Sequence, residues 1–133
     1  MIGKFAILDG TPEFPNKDTL DQWRYHWSRG ATAEIVKLQN ESFTFTFMAG
    51  TDNEKVVPHT EFFDFFESFK DQAEAAGGPP NGSTEFMTFR NIILTQMGDT
   101  TVEIAGWQVP GFADSTYVVG ARNNQLIWAR VIV

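Results

Sequence analysis

The sequence predicts an α+β domain. Its centre is a mainly antiparallel sheet of five to seven strands, with an N-terminal helix and a second amphipathic helix packed on it. Three observations predict it. Phe43, Phe45 and Phe47 alternate with Thr44 and Thr46, the period of a strand with one buried face. Residues 59–76 place Phe62, Phe66, Phe69, Ala73 and Ala76 on one stripe at helical spacing, widened by Phe63 and Phe65. Beyond the Gly-Gly-Pro-Pro break at 77–80, almost everything is β-branched, aromatic or turn-forming.

Taken in order, Lys4–Gly10 reads as a short strand or a packed arm, so residues 1–17 are an arm or extra strand on a single domain spanning 1–133. Asp18 is an N-cap candidate for a short helix in which Leu20, Trp23 and Trp27 recur at i, i+3 and i+7. Trp23 and Trp27 are expected in the core and Tyr25 at a contact surface. Gly30 stands where a glycine after a helix end belongs. Residues 33–38 and 42–48 are expected to pair as a hairpin, and residues 49–57 to form a polar loop. Thr60 is the expected cap of the phenylalanine helix, whose Asp64, Glu67, Asp71 and Glu74 face solvent. Thr84–Met97 and Thr100–Val109 are strands around Gly98-Asp99, and a last hairpin turns at Asn123-Asn124, a pair that tolerates positive φ. Unbroken alternation from Leu126 puts Leu126, Trp128 and Arg130 on one face and Ile127, Ala129 and Val131 on the other.

Composition narrows the function. A chain of 133 residues without cysteine rules out disulfides, thiolate metal sites and cysteine nucleophiles, and points to a reducing, cytoplasmic setting and a monomeric domain. The first residues do not read as a secretory signal, and no apolar run reaches the roughly 18 residues of a membrane span. The net charge of −7 includes no basic stripe, which argues against nucleic acid and against anionic membrane. Residues 81–133 hold only three bases, Arg90, Arg122 and Arg130. His26 and His59 lack any partner at metal-ligand spacing, and no phosphate loop, dinucleotide fingerprint or nucleophile elbow occurs. The expectation is a protein that is not an enzyme, with neither a cofactor nor a metal.

The order of a tryptophan-bearing helix, a hairpin, a second helix and a run of four strands resembles the profilin family. "WRYHW" (Trp23–Trp27), "FMTFRNIIL" (Phe86–Leu94) and the final "STYVVGARNNQLIWARVIV" (Ser115–Val133) are similar in kind to profilin segments. The terminal helix of profilins has no counterpart after Val133. The resemblance implies an actin-monomer-binding protein that regulates filament assembly. Its partner face would comprise Arg90, Gln96, Glu103, Arg122, Asn124, Trp128 and Arg130. Trp23 and Tyr25 would form one wall of a groove for proline-rich peptides, the other wall being absent. The alternative is a cone-shaped α+β barrel of the NTF2-like kind, binding or hydrolysing a small molecule in a cavity around Trp107 and Trp128 with His59 or an aspartate. A roadblock- or longin-like interaction module is the third reading. An interior cavity of at least ~300 Å³ distinguishes the second from the others.

Overall fold

The computed structural model describes residues 14–77, 87–109 and 114–132. Along the chain run α1 (Lys17–Ser28), α2 (Thr32–Lys37), β1 (Gln39–Phe47), β2 (Lys55–Pro58), α3 (His59–Ala75), β3 (Thr88–Met97), β4 (Thr100–Gln108), β5 (Ser115–Arg122) and β6 (Gln125–Ile132). The strands form one sheet in the order β2-β1-β6-β5-β4-β3. Neighbours are antiparallel except β1 and β6, which are parallel. The expected strand or arm at 4–10, the first residues of the expected strand at 84–86 and the connection at 110–113 lie outside the described residues.

The first helix begins one residue before Asp18, which therefore sits in the first turn, where a negative charge suits the helix dipole, rather than at the cap. It ends as the sequence predicts. Gly30 has φ +63°, its N–H bonds the Trp27 carbonyl at 3.0 Å, and the N–H of Ala31 bonds that of His26 at 2.9 Å. This reversal sends residues 32–37 into a helical turn instead of the predicted strand. Local preference of Ile35 and Val36 for β structure gives way because one helical turn buries Ile35 completely. The antiparallel partner of β1 is therefore β2, only four residues long and too short to show a period in the sequence.

Lys70, almost fully buried in α3, locks this corner. Its Nζ donates to the Gly30 carbonyl at 2.7 Å and pairs with Glu67 at 2.7 Å, and the Thr32 hydroxyl donates to the same carboxylate. Hydrogen bonds from Lys70 and Thr32 hold the Glu67 pKa below its ordinary value. Glu67 thus leaves the solvated stripe the sequence assigns it to. The helix itself starts at His59 after an extended Pro58, so Thr60 is not its cap.

One face of the sheet meets all three helices. Phe43 and Phe45 from β1, Trp107 from β4, Tyr117 from β5, and Trp23, Trp27, Phe62 and Phe66 from the helices interdigitate there. Trp27 lies 4.6 Å from Phe66 and 5.6 Å from both Phe45 and Trp107, ring centre to ring centre, in the tilted arrangements that aromatic quadrupoles favour.

The last hairpin corrects one expectation. Asn123 and Asn124 take φ of 53° and 61°, as predicted, but Gly120 opposes Trp128 while Ala121 opposes Leu126. Ile127 is an extra residue, a bulge that reverses the alternation. Leu126, Ala129 and Val131 consequently face the core, and Trp128, Arg130 and Ile132 face outward. A second bulge, where Asn91 has φ 56°, does the same in β3. Trp128 lies flat over Gly120: a Cβ there would stand 2.7 Å from its ring. Gly120→Ala is expected to cost about 1–3 kcal/mol through this overlap, read by urea denaturation, and far less in a Trp128→Ala background. Equal costs in both backgrounds would contradict the close approach.

Candidate functional site

Two surfaces bear chemistry, one on each face of the sheet. On the inner face, alternation along β4 points Thr101, Glu103, Ala105 and Trp107 at the helices. Glu103 is wholly buried, and α1 brings Arg24 over it. The Arg24 Nε donates to both carboxylate oxygens, at 3.0 and 3.1 Å, and the Tyr117 hydroxyl donates to one of them. Arg24 also reaches Asp21, which accepts from Lys17 at 2.7 Å. Burial raises the Glu103 pKa above its ordinary value despite Arg24, and burial with the neighbouring carboxylate raises that of Tyr117. Burial opposes the Asp21 carboxylate too, but hydrogen bonds from Lys17 and Arg24 outweigh it and lower its pKa.

A second polar set continues the line. Asn16 donates to Thr101 at 3.1 Å and accepts from the Asn124 backbone N–H at 2.9 Å, and Thr101 donates to Gln96 at 2.6 Å. These bonds tie the start of α1 to β3, β4 and the last turn. The interior beside them holds a cavity of about 10 Å³, walled by Trp23, Trp27, Phe45, Trp107, Tyr117, Ala129 and Val131. It has no room for a substrate. The buried indole N–H groups of Trp23 and Trp27 have no acceptor among the described residues.

The outer face has a different character. Pairing register sets its side chains in rows across the strands. One row runs Ile93, Ile104, Val118, Arg130, Thr46, Val56, and the next Thr95, Val102, Gly120, Trp128, Thr44, Pro58. A third is Arg90, Gly106, Thr116, Ile132. Of the eight large apolar side chains exposed among the described residues, five lie here: Val56, Ile93, Met97, Ile104 and Ile132. Ile93 and Ile104 are 49% and 42% exposed, and with Arg90, Thr116 and Ile132 they line an open recess of about 540 Å³. No described helix covers this face.

The predicted site residues are thus divided. Arg90, Arg122, Trp128 and Arg130 share the outer face. Glu103 and Gln96 point inward, so neither belongs to a partner surface with them, and Asn124 braces α1 through its backbone. Trp23 is core, and Tyr25 is on the exposed side of α1 under the Arg29 guanidinium, 4.0 Å from its ring centre, so the two do not form one wall of a groove. Trp107 is interior as the cavity reading expects, whereas Trp128 is not. His59 meets Gln39 at 2.8 Å, and among the described residues no group of His, Asp and Glu is arranged to hold a metal. Sequence reasoning missed Arg24, Asn16 and Tyr117. Alternation back from Trp107 marks Glu103 as inward, and a buried carboxylate demands such partners.

No protein-family model and no curated protein matches the sequence. Solved structures do. An NTF2-like protein of unknown function from Cytophaga hutchinsonii superposes with a TM-score of 0.58 at 11% identity, over 90% of each chain. Bal32a, from a soil-derived mobile gene cassette, gives 0.62 at 13% identity over 87% of this chain and 86% of its own. A Nostoc punctiforme domain with a cystatin-like fold gives 0.61 at 12% over 91% and 78%. At these identities the likeness is one of fold, and the fold is NTF2-like. It corrects the profilin resemblance, and the actin-monomer function and cytoskeletal role implied by it lose their basis. The order of elements along the chain misled because it says nothing of the order of strands in the sheet.

Glu103→Ala should cost about 3–5 kcal/mol in chemical denaturation, because it strands a half-buried guanidinium. Glu103→Gln isolates the titration. The folded-state pKa of Glu103 is raised, so its favourable contribution is complete below the ordinary 4.5 and is lost as pH rises through the folded value. The Gln variant should therefore gain on the natural chain as pH climbs above 4.5; a widening deficit would show the opposite shift.

Proposed function

We propose that this chain is a non-catalytic binding module on the NTF2-like fold, and that its working surface is the outer face of the sheet. The observation that carries the reading is the contrast between the two faces. Among the described residues, the pocket inside the cone, walled by Trp23, Trp27, Phe45, Trp107 and Tyr117, has a volume of about 10 Å³. That is far below the ~300 Å³ a ligand site requires. The apolar rows of the outer face, by contrast, are left uncovered by the described helices, and large exposed apolar patches mark interaction sites. Glu103 is unsuited to acid–base work, since its oxygens are occupied by Arg24 and Tyr117 and nothing reaches them from solvent. A cysteine-free chain suits a reducing compartment, and the cytoplasm is the location we propose. Among the described residues no helix is long and apolar enough to cross a membrane.

A second reading has one observation in its favour. The unpartnered indole N–H groups of Trp23 and Trp27 would welcome an interior acceptor, such as a small polar ligand that parts the rings. A thermal-shift screen with small polar and aromatic compounds separates the two. A ligand at a hundredfold its Kd adds about 2.7 kcal/mol to stability. The outer-face reading predicts no such compound, and predicts that a solvent-sensitive hydrophobic dye bound by the folded chain is lost on Ile93→Asn with Ile104→Asn. A stabilising compound whose effect disappears on filling the interior with Ala129→Leu, and survives the two surface changes, would establish the interior reading instead.

A further inference from the structure

We propose that the outer face of the sheet docks an acidic, aliphatic polypeptide segment, whose carboxylates meet Arg122 and Arg130 while its apolar side chains cover Ile93 and Ile104. This rests on the reading of that face as the working surface and adds the chemistry of the partner. The chain is acidic, at −7, yet the three bases that follow residue 80 all project from this one face. The rows themselves hold no carboxylate. Asp114 lines the recess beside Ile93 and Ile104, where Arg90 engages it at 2.5 Å. Arg122 and Arg130 are exposed and have no ion-pair partner among the described residues.

Charge then selects the occupant. A second copy laid on this face by a twofold axis brings only the same side chains, because such an interface is self-complementary. It would desolvate Arg122 and Arg130 without supplying a counter-charge, a costly arrangement. Nucleic acid and anionic headgroups offer phosphates for the arginines but no match for the rows of Ile93, Ile104, Val118 and Val56. A polypeptide that alternates carboxylate and aliphatic side chains satisfies both. Each guanidinium can take a carboxylate through two parallel hydrogen bonds, and Trp128, two residues from Arg130, offers a flat apolar floor between the Arg122 and Arg130 rows. The acids of α3, Asp64, Asp71 and Glu74, belong to the helix on the other side of the sheet. Screening over about 8 Å at physiological salt keeps their repulsion from deciding the contact.

Selection of a displayed random-peptide library on the immobilised full chain tests this, with winners measured by fluorescence polarisation. The expected winners are rich in Asp, Glu and aliphatic residues. Their affinity should fall about tenfold or more on Arg122→Glu with Arg130→Glu, and comparably on Ile93→Asn with Ile104→Asn, with the circular dichroism melt unchanged. Neutral or basic winners that still require Ile93 and Ile104 would overturn the acidic assignment while leaving the face itself in place. Winners indifferent to both pairs of changes would overturn both. Dimerisation in sedimentation equilibrium that the isoleucine changes abolish, or binding to phosphatidylglycerol vesicles in place of peptides, would overturn the choice of occupant.

Discussion

The placement of α1 depends on one buried carboxylate. Aromatic packing drives the helix onto the sheet, but it is non-directional, and rings of similar size tolerate small slides and rotations. Glu103 does not. Fully withdrawn from water, it is stable only while Arg24 and the Tyr117 hydroxyl occupy its oxygens. That fixes α1 in both rotation and height. The Asn16 bonds to Thr101 and to the last turn fix its first residue, and Lys70 fixes its end by binding the Gly30 carbonyl. Between these three points the indoles of Trp23 and Trp27 have one way to lie.

The consequence is a difference in character between the two faces of the sheet. With α1 held at this height, the rings of Trp23, Trp27, Phe45, Trp107 and Tyr117 pack around a pocket of about 10 Å³ among the described residues. The same region's inward polar groups, Glu103, Tyr117, Thr101 and Asn16, are hydrogen-bonded to one another or to Arg24. The bulges at Asn91 and Ile127 act on the opposite side. By shifting the alternation they keep Leu94, Ala129 and Val131 inside and turn Ile93, Trp128, Arg130 and Ile132 outward. The side chains displayed on the outer face are therefore set by two single-residue insertions in the strands.

Much of this was legible in the residues. The phenylalanine stripe of α3, the inward Phe43 and Phe45, the glycine end of α1 and the Asn123-Asn124 turn each carry a local signal that the structure follows. The mainly antiparallel six-stranded sheet falls within the expected five to seven strands. What the sequence hid was non-local. Residues 32–37 have strand-forming side chains but are helical because burying Ile35 requires it. Leu126 has no local mark that a bulge follows it, so unbroken alternation grouped it with the outward Trp128 and Arg130 instead of with the core. The parallel pairing of β1 with β6 joins segments about eighty residues apart, and without it the element order fits profilin and NTF2-like folds alike. Of the candidate site, the three arginines were legible as the only late bases, and alternation back from Trp107 marks Glu103 as inward; what the sequence hid was that Arg24 and Tyr117 are its partners.

A double-mutant cycle between Arg24 and Glu103 tests the central claim most directly. Arg24→Met and Glu103→Leu, singly and together, would be compared by urea denaturation, with far-ultraviolet circular dichroism confirming that each variant folds. If the pair fixes α1, each single change leaves the other charge stranded, and the double variant should be more stable than either, with a coupling of about 2 kcal/mol or more. Strictly additive losses, within about 0.5 kcal/mol, would mean that the two groups do not depend on one another and that aromatic packing alone places the helix.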